Sequence, residues 1–295
     1  MSTRTLLNLA LAVIALGLAA LIWLRPGLER DSGSQAITGI DPQQVSMIEL
    51  TRSAAVPLTF SRHDGHWLID GATAIPADDF QVHTVLALLE APGIRSYPAN
   101  PLDLAALGLD PPQAGVRFDA TQIDLGNTEA IEGLRYARLG AMVYLVEDNY
   151  AHLLNAGLAN FASRRLLPQE ATIVGLELPG LKLTRSDDVH WQMDPAQPDT
   201  SADAIEQLVQ NWQRASALYV RRYEPGEHPD TIRVTLKDAN APVEFRIVAR
   251  EPDLVLARTD RGLQYHLTGD VGAGLLALPE SPTESEQSPA VSVHE

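Results

Sequence analysis

"FSRHDGHWLID" (residues 60–70) and "TRSDDVHWQMD" (residues 184–194) decide the reading of this chain, because one can be laid over the other. His66-Trp67 falls on His190-Trp191, Asp64 on Asp188, and Asp70 on Asp194. Further along, "RYARLGAMVYLV" (135–146) is set over "VLARTDRGLQYHLT" (255–268), with Ala137-Arg138 on Ala257-Arg258 and Tyr144 on Tyr265. The offset is 124 at the tryptophans and 120 and 121 at the later matches. Several features agree in order, which reads as a tandem repeat of about 120 residues. Two copies make a duplication, whereas a solenoid needs three or more stacked units.

Each copy has the same internal pattern. Copy one begins with the strand-like runs "SMIELTR", "PLTFSR" and "HWLID", and copy two with "IVGLEL", "LKLTRS" and "HWQMD". Their alternation of apolar and polar positions predicts strands with one buried face. A helix follows in each. In "PADDFQVHTVLALLEA", Asp78 or Asp79 is the expected N-cap, and Val82, Val85, Leu86 and Leu89 form the inner stripe. In "TSADAIEQLVQNWQRA", Ser201 or Asp203 caps, and Ile205, Leu208, Val209 and Trp212 face inward. Four more strands close each copy: "AGVRFDA", "TQIDLGN", "LRYARLG" and "MVYLVED", then "TIRVTLKD", "PVEFRIVA", "LVLARTD" and "LQYHLTG". Strands in blocks around a helix predict an α+β fold with antiparallel sheets.

Outside this part the composition changes. "LLNLALAVIALGLAALIWL" (6–24) has Asn8 as its one polar residue and nearly spans a hydrocarbon core of about 30 Å. It runs past the apolar length of a cleavable signal, so an uncleaved transmembrane anchor is expected, with Trp23 at the interface. The expected organisation is a cytoplasmic tail (1–5), anchor (6–24), polar linker (25–43), repeat 1 (44–167), repeat 2 (168–278) and a disordered acidic tail (279–295). The net charge of −16 argues against nucleic acid and against electrostatic docking on anionic lipid. The chain has no cysteine, which rules out disulfides, thiolate nucleophiles and Cys-zinc sites in it.

Copy one also carries "DLAALGLDPP" (103–112), followed by "VRFDATQIDLGN" and "RYARLGAMVYLVEDN". With the tryptophan strand and helix before them, these residues closely resemble a bacterial family known as domain of unknown function 4340. The resemblance covers residues 65 to 167 well. In copy two, "YEPGEHPD" stands where the Gly-Leu-Asp-Pro segment would be. The resemblance implies a single-pass protein of the bacterial inner membrane with its C-terminal bulk in the periplasm. It also implies neighbours among ABC transport systems of the gliding-motility type, and it brings no catalytic residues.

Candidate chemistry is sparse. His63 and His66 flank Asp64-Gly65, a two-residue hairpin signal that sets the imidazoles opposite each other. They are weak metal candidates, because zinc needs three or four placed ligands and neither Asp70 nor His83 is fixed nearby by sequence. Polar shoulders of a turn are the favoured reading, with His63 dispensable because the second copy has Asp187 there. Trp67 and Trp191 read as core rather than ligand platforms. Gly108 to Pro112 reads as a turn before a strand. Asp78-Asp79 and Asp187-Asp188 read as cap and turn rather than calcium ligands. Arg164-Arg165 and Arg221-Arg222 read as solvated. Tyr97 and Tyr219, placed after the two helices, are candidate binding aromatics.

No G-x-S-x-G, H-E-x-x-H, phosphate loop or G-x-G-x-x-G occurs, and no cofactor is expected. The expected function is a membrane-anchored periplasmic interaction module, an accessory subunit of an ABC-type transport or envelope system with a membrane or envelope protein partner. The alternative is a periplasmic module binding a glycan, peptide or lipid between the copies. An envelope hydrolase is the third reading.

Overall fold

Runs in which every second side chain is apolar bury one face, and here they pair into two antiparallel sheets. The computed structural model describes residues 35–279 except 54, 151, 153–155, 187–189, 199, 228 and 238. The expected anchor at 6–24, residues 25–34 of the expected linker, the tail from 280 onward and the Asp187-Asp188-Val189 corner lie outside the described residues. Among the described residues, no helix is long and apolar enough to cross a membrane.

The first sheet contains β1 (Met47–Arg52), β2 (Leu58–His63), β3 (His66–Ile69), β4 (Ile75–Pro76), β5 (Arg95–Pro98), β6 (Ala114–Phe118), β7 (Thr121–Thr128), β8 (Arg135–Leu139) and β9 (Met142–Val146). Their order is β4-β3-β2-β1-β6-β7-β8-β9-β5. The second contains β10 (Ile173–Leu178), β11 (Leu181–Arg185), β12 (Trp191–Asp194), β13 (Tyr219–Arg222), β14 (Thr231–Leu236), β15 (Val243–Ala249), β16 (Leu254–Arg258) and β17 (Leu263–Leu267). Their order is β12-β11-β10-β14-β15-β16-β17-β13. With the two-residue β4 set aside, the two orders agree strand for strand. The helices also correspond in place. Helix α1 (Asp79–Leu86) precedes β5 and α3 (Ala202–Arg214) precedes β13, while α2 (Leu158–Phe161) follows β9 and α4 (Gly269–Leu276) follows β17. The class is α+β.

The caps and stripes are those the sequence predicts. Asp78 accepts a hydrogen bond from the Gln81 amide at 3.2 Å, and Ser201 accepts one from the Ala204 amide at 3.1 Å. Val82, Val85, Leu86 and Leu89 are buried on one side; Ile205, Leu208, Val209 and Trp212 are buried on the other. Each fully buried aliphatic or phenyl side chain stabilises by about 1.5–3 kcal/mol relative to exposure. Trp212 also donates its Nε1–H to the Leu275 carbonyl at 2.9 Å, which ties α3 to α4. Trp67 is buried, as expected, but Trp191 is only half-buried at the outer strand of its sheet.

Pairing corrects one part of the overlay. Ala137 lies opposite Tyr144, whereas Ala257 lies opposite Gln264. With the two Ala-Arg pairs aligned, Tyr265 therefore falls on Leu145, and both are buried. The β8–β9 hairpin turns through Gly140 and Ala141, but β16–β17 turns through Thr259 to Gly262. The two hairpins are nevertheless the same length, since the offset is 120 on both sides of the turn and only the last pair, Leu139 with Met142, lacks a counterpart in the second ladder. The overlay of Tyr144 on Tyr265 is one residue out of register.

The segment between the sheets belongs to both. The Asp78 amide donates to the Phe161 carbonyl at 2.7 Å, and the Ser163 amide donates to the Pro76 carbonyl at 2.8 Å. A few residues on, the Leu166 amide donates to the Ala215 carbonyl at 3.2 Å, and the Ala217 amide donates to Arg164 at 2.8 Å. The chain from 161 to 167 is thus a seam. It covers the β4 edge of the first sheet and then pairs with the lead-in to β13 of the second. Phe161, Ala162, Leu166 and Leu167 are buried, and one continuous hydrophobic core runs through both sheets. At the other end, residues 35–37 of the expected linker pair with 91–93, and Ile37 is buried.

Candidate functional site

The β2–β3 corner is a two-residue turn with Asp64 at φ 49° and Gly65 at φ 85°, so both positions are left-handed as a type I′ hairpin requires. His63 pairs with His66 across it. Beyond that pairing the two rings part. His63 Nε2 lies 3.1 Å from Ser61 Oγ, and that hydroxyl donates to Asp70 Oδ1 at 2.5 Å. Serine, histidine and aspartate are therefore together on an exposed strand end, but in the wrong sequence for a nucleophile. The serine proton goes to the carboxylate, where a triad needs histidine between the two.

His66 instead borders a small cavity of about 200 Å³ with His83 and Asp79 of α1. His83 Nδ1 is 2.6 Å from the Asp79 carbonyl, so that nitrogen donates to the backbone. Among the described residues, no group of three or more His, Asp or Glu side chains is arranged to hold a metal ion.

The other singled-out residues have structural surroundings. Gly108, at φ 68°, sits against Asn127, whose amide donates to the Leu107 carbonyl at 2.8 Å and whose side chain donates to the Ala106 carbonyl at 3.1 Å. The Leu-Gly-Leu-Asp-Pro turn is thereby fastened to β7. Asp78 caps α1 and also lies 3.5 Å from Arg164. Tyr97 and Tyr219 are both exposed, on β5 and β13, but they do not converge. Tyr97 is opposite Val143 and Tyr219 is opposite His266. Carried through the corrected register, the two positions are three residues apart and so point to opposite faces. Tyr219 stacks on His266 with ring centroids 4.4 Å apart, beneath the Arg221 guanidinium at 4.9 Å.

The concavity with the most varied chemistry lies at the seam, where no sequence motif marks it. It has a volume of about 490 Å³. One wall is the β3–β4 edge, with Trp67, Leu68 and Pro76, and the other is the seam, with Leu166, Leu167 and Pro168. Arg165 reaches it from the seam and Arg261 from the β16–β17 loop of the second sheet. Arg165 is half-buried rather than solvated as its sequence context suggests. The Nε of each guanidinium is buried and without a hydrogen-bond partner. Burial lowers the Arg261 pKa, and the like charge of Arg258 adds to this; Tyr265 and Asp260 act in the opposite direction. Arg261 also borders a second cavity of about 520 Å³, with Leu158, Arg222 and Tyr223. The turn at 259–262 carries this arginine, and its length, the same as that of the β8–β9 turn, gives no signal that could have marked it.

Comparison with known proteins gives one result. A family model described as a domain of unknown function (DUF4340) matches residues 67–241. No curated protein and no solved structure matches significantly.

Proposed function

The chain belongs to the DUF4340 family, whose model matches more than half of it, and from that footing we propose a membrane-anchored periplasmic interaction module. In this reading residues 6–24 hold the chain in the bacterial inner membrane. Residues 44–167 and 168–278 are diverged copies of one unit, presented as a single rigid body to a membrane or envelope partner. An ABC-type transport system is the partner class. The observation that carries the reading is the seam. Two sheets of the same strand order share one connector and one core, which supports a platform that acts as a unit. The apolar run at 6–24 supports the anchor, and the agreement of helix positions supports the duplication.

The absence of native cysteine makes topology directly measurable. Asp64→Cys, on an exposed hairpin, is expected to react with a membrane-impermeant maleimide in intact spheroplasts, and the chain is expected to resist carbonate extraction. Labelling only after lysis, or release into the carbonate supernatant, ends the anchored periplasmic reading. Site-specific cross-linking from the same position in cells then tests for a membrane partner; recovery of the chain alone counts against an accessory subunit.

A second reading, a ligand-binding module, is favoured by the seam cavity, because the β3–β4 edge and the seam wall it and the second sheet adds Arg261 to the seam's Arg165. It is compatible with the anchor and can be tested separately.

A further inference from the structure

We infer that the seam cavity binds a small anion-headed amphiphile, its carboxylate or phosphate held between Arg165 and Arg261 and its apolar body lying along Leu68, Pro76 and Pro168. This inference rests on the ligand-binding reading and narrows it to a chemical class.

Three observations converge on that class. The first is size: about 490 Å³ falls inside the roughly 300–1,000 Å³ range of small-molecule sites. The second is unmet hydrogen bonding. A guanidinium presents five donors in a planar fork that matches a carboxylate or phosphate. Here Arg165 and Arg261 each bury an Nε without a partner, and among the described residues neither forms an ion pair. Arg261 also meets the Tyr265 hydroxyl, a neutral partner that supplies no counter-ion, whereas Arg95, which likewise buries a free Nε, is paired with Glu132. Two carboxylates, Asp79 and Glu170, border the cavity without reaching ion-pair distance of either arginine. The third is the apolar lining. Leu68, Pro76 and Pro168 give it accessible apolar surface in front of the buried Trp67, Leu166 and Leu167, and a purely polar anion would leave that surface in contact with water. A half-buried guanidinium without a counter-ion is costly, and an anion bound in the cavity offsets that cost. The whole chain has net charge −16, so an anion is drawn to this spot by local geometry and not by the overall field.

The test uses the full chain in discs of zwitterionic lipid, with empty discs as blanks. Decanoate, decyl phosphate and decanol are titrated by calorimetry, and tryptophan fluorescence is followed in parallel, with a Trp67→Phe variant assigning the part due to Trp67. Saturable binding of decanoate or decyl phosphate, at least tenfold tighter than decanol, is expected, and the ratio of the two anions identifies the preferred head group. Arg165→Gln and Arg261→Gln are each expected to weaken the anion by tenfold or more, and Arg165→Lys to keep most of the affinity. Should Arg261→Gln fail to fold, the Arg165→Gln and Arg165→Lys pair carries the comparison. If decanol binds as well as the anions, or the glutamine variants bind normally, the anion assignment falls while the ligand-binding reading stands. If no probe binds above the empty discs, both fall.

Discussion

Each sheet buries one arginine on the corresponding strand, and the two are held very differently. Arg135 on β8 gives both sides of its fork to Asp148, at 2.6 and 2.8 Å, and also donates to Thr128 Oγ1 and the Gly126 carbonyl. Its side chain is 6% exposed and that of Asp148 17%. Arg258 on β16 has its fork on Asp260, at 2.9 and 2.7 Å, but Asp260 is 47% exposed and sits in the β16–β17 turn. Below Arg258 lies the Phe245 ring, 5.5 Å from the guanidinium carbon. The first sheet thus closes its charge inside a polar network. The second leaves its counter-ion at the surface and places a further cation, Arg261, beside the seam cavity. The same strand order carries an interior ion pair in one half and a half-open cationic corner in the other.

The sharpest way to break this contrast is to remove the two aspartates. Asp148→Ala leaves Arg135 buried and unpaired and is expected to cost about 3–5 kcal/mol of unfolding free energy in urea titrations. Asp260→Ala is expected to cost about 1 kcal/mol or less, because solvent screens an exposed partner. Equal losses would mean that the two arginines are interchangeable.

The hairpins supply the next test. Gly65→Val places a β-branched residue at φ 85° and is expected to cost about 1–2 kcal/mol. His63→Ala, on the same corner, should stay within about 0.5 kcal/mol in the same titration.

Cap removal compares the helices. Ser201→Ala and Asp78→Ala should each cost about 1 kcal/mol. Asp78 also faces Arg164 across the seam, so Asp78→Ala should cost less when Arg164 is already alanine if that pair contributes. Simple additivity would show that it does not.

The smallest effect is in pH. Burial holds the His266 pKa below its ordinary 6.5, and Arg221 lowers it further against the opposing charge of Asp253. Between that depressed value and 6.5 the unfolded chain binds more protons than the folded one, so stability rises with pH through this window and falls as pH drops from 6.5. His266→Gln should flatten that slope. The first sheet has Val146 at the corresponding place and should show no such dependence when the second sheet carries the substitution. Chemical unfolding at a series of pH values below 7 measures it.

Much of the architecture was legible in the chain because alternation and capping are local. Strand runs, both helices, their caps and the Asp-Gly corner all follow from residues within a turn or two of each other. What sequence overlay missed depends on pairing across distance. Tyr265 resembled Tyr144 by residue type, yet strand pairing puts it opposite Leu256, in a position equivalent to Leu145 opposite Tyr136. Tyr97 and Tyr219 looked equivalent for the same reason, and strand register separates them. The seam cavity was not legible at all. Its arginines, Arg165 and Arg261, are 96 positions apart in the chain and belong to no motif. Only the edge-to-edge joining of the sheets brings them to one wall.

That joining has a consequence for anyone wishing to divide the molecule. Residue 167 looks like the natural place to cut, since everything before it resembles one unit and everything after it another. Cutting there would strip the lead-in to β13 of the strand that pairs with it, and freeing 161–167 from the first unit would uncover β4 as well. Each half would present an open row of backbone donors and acceptors, the kind of edge that recruits another chain. The separated halves should find each other, or copies of themselves, before they behave as independent domains.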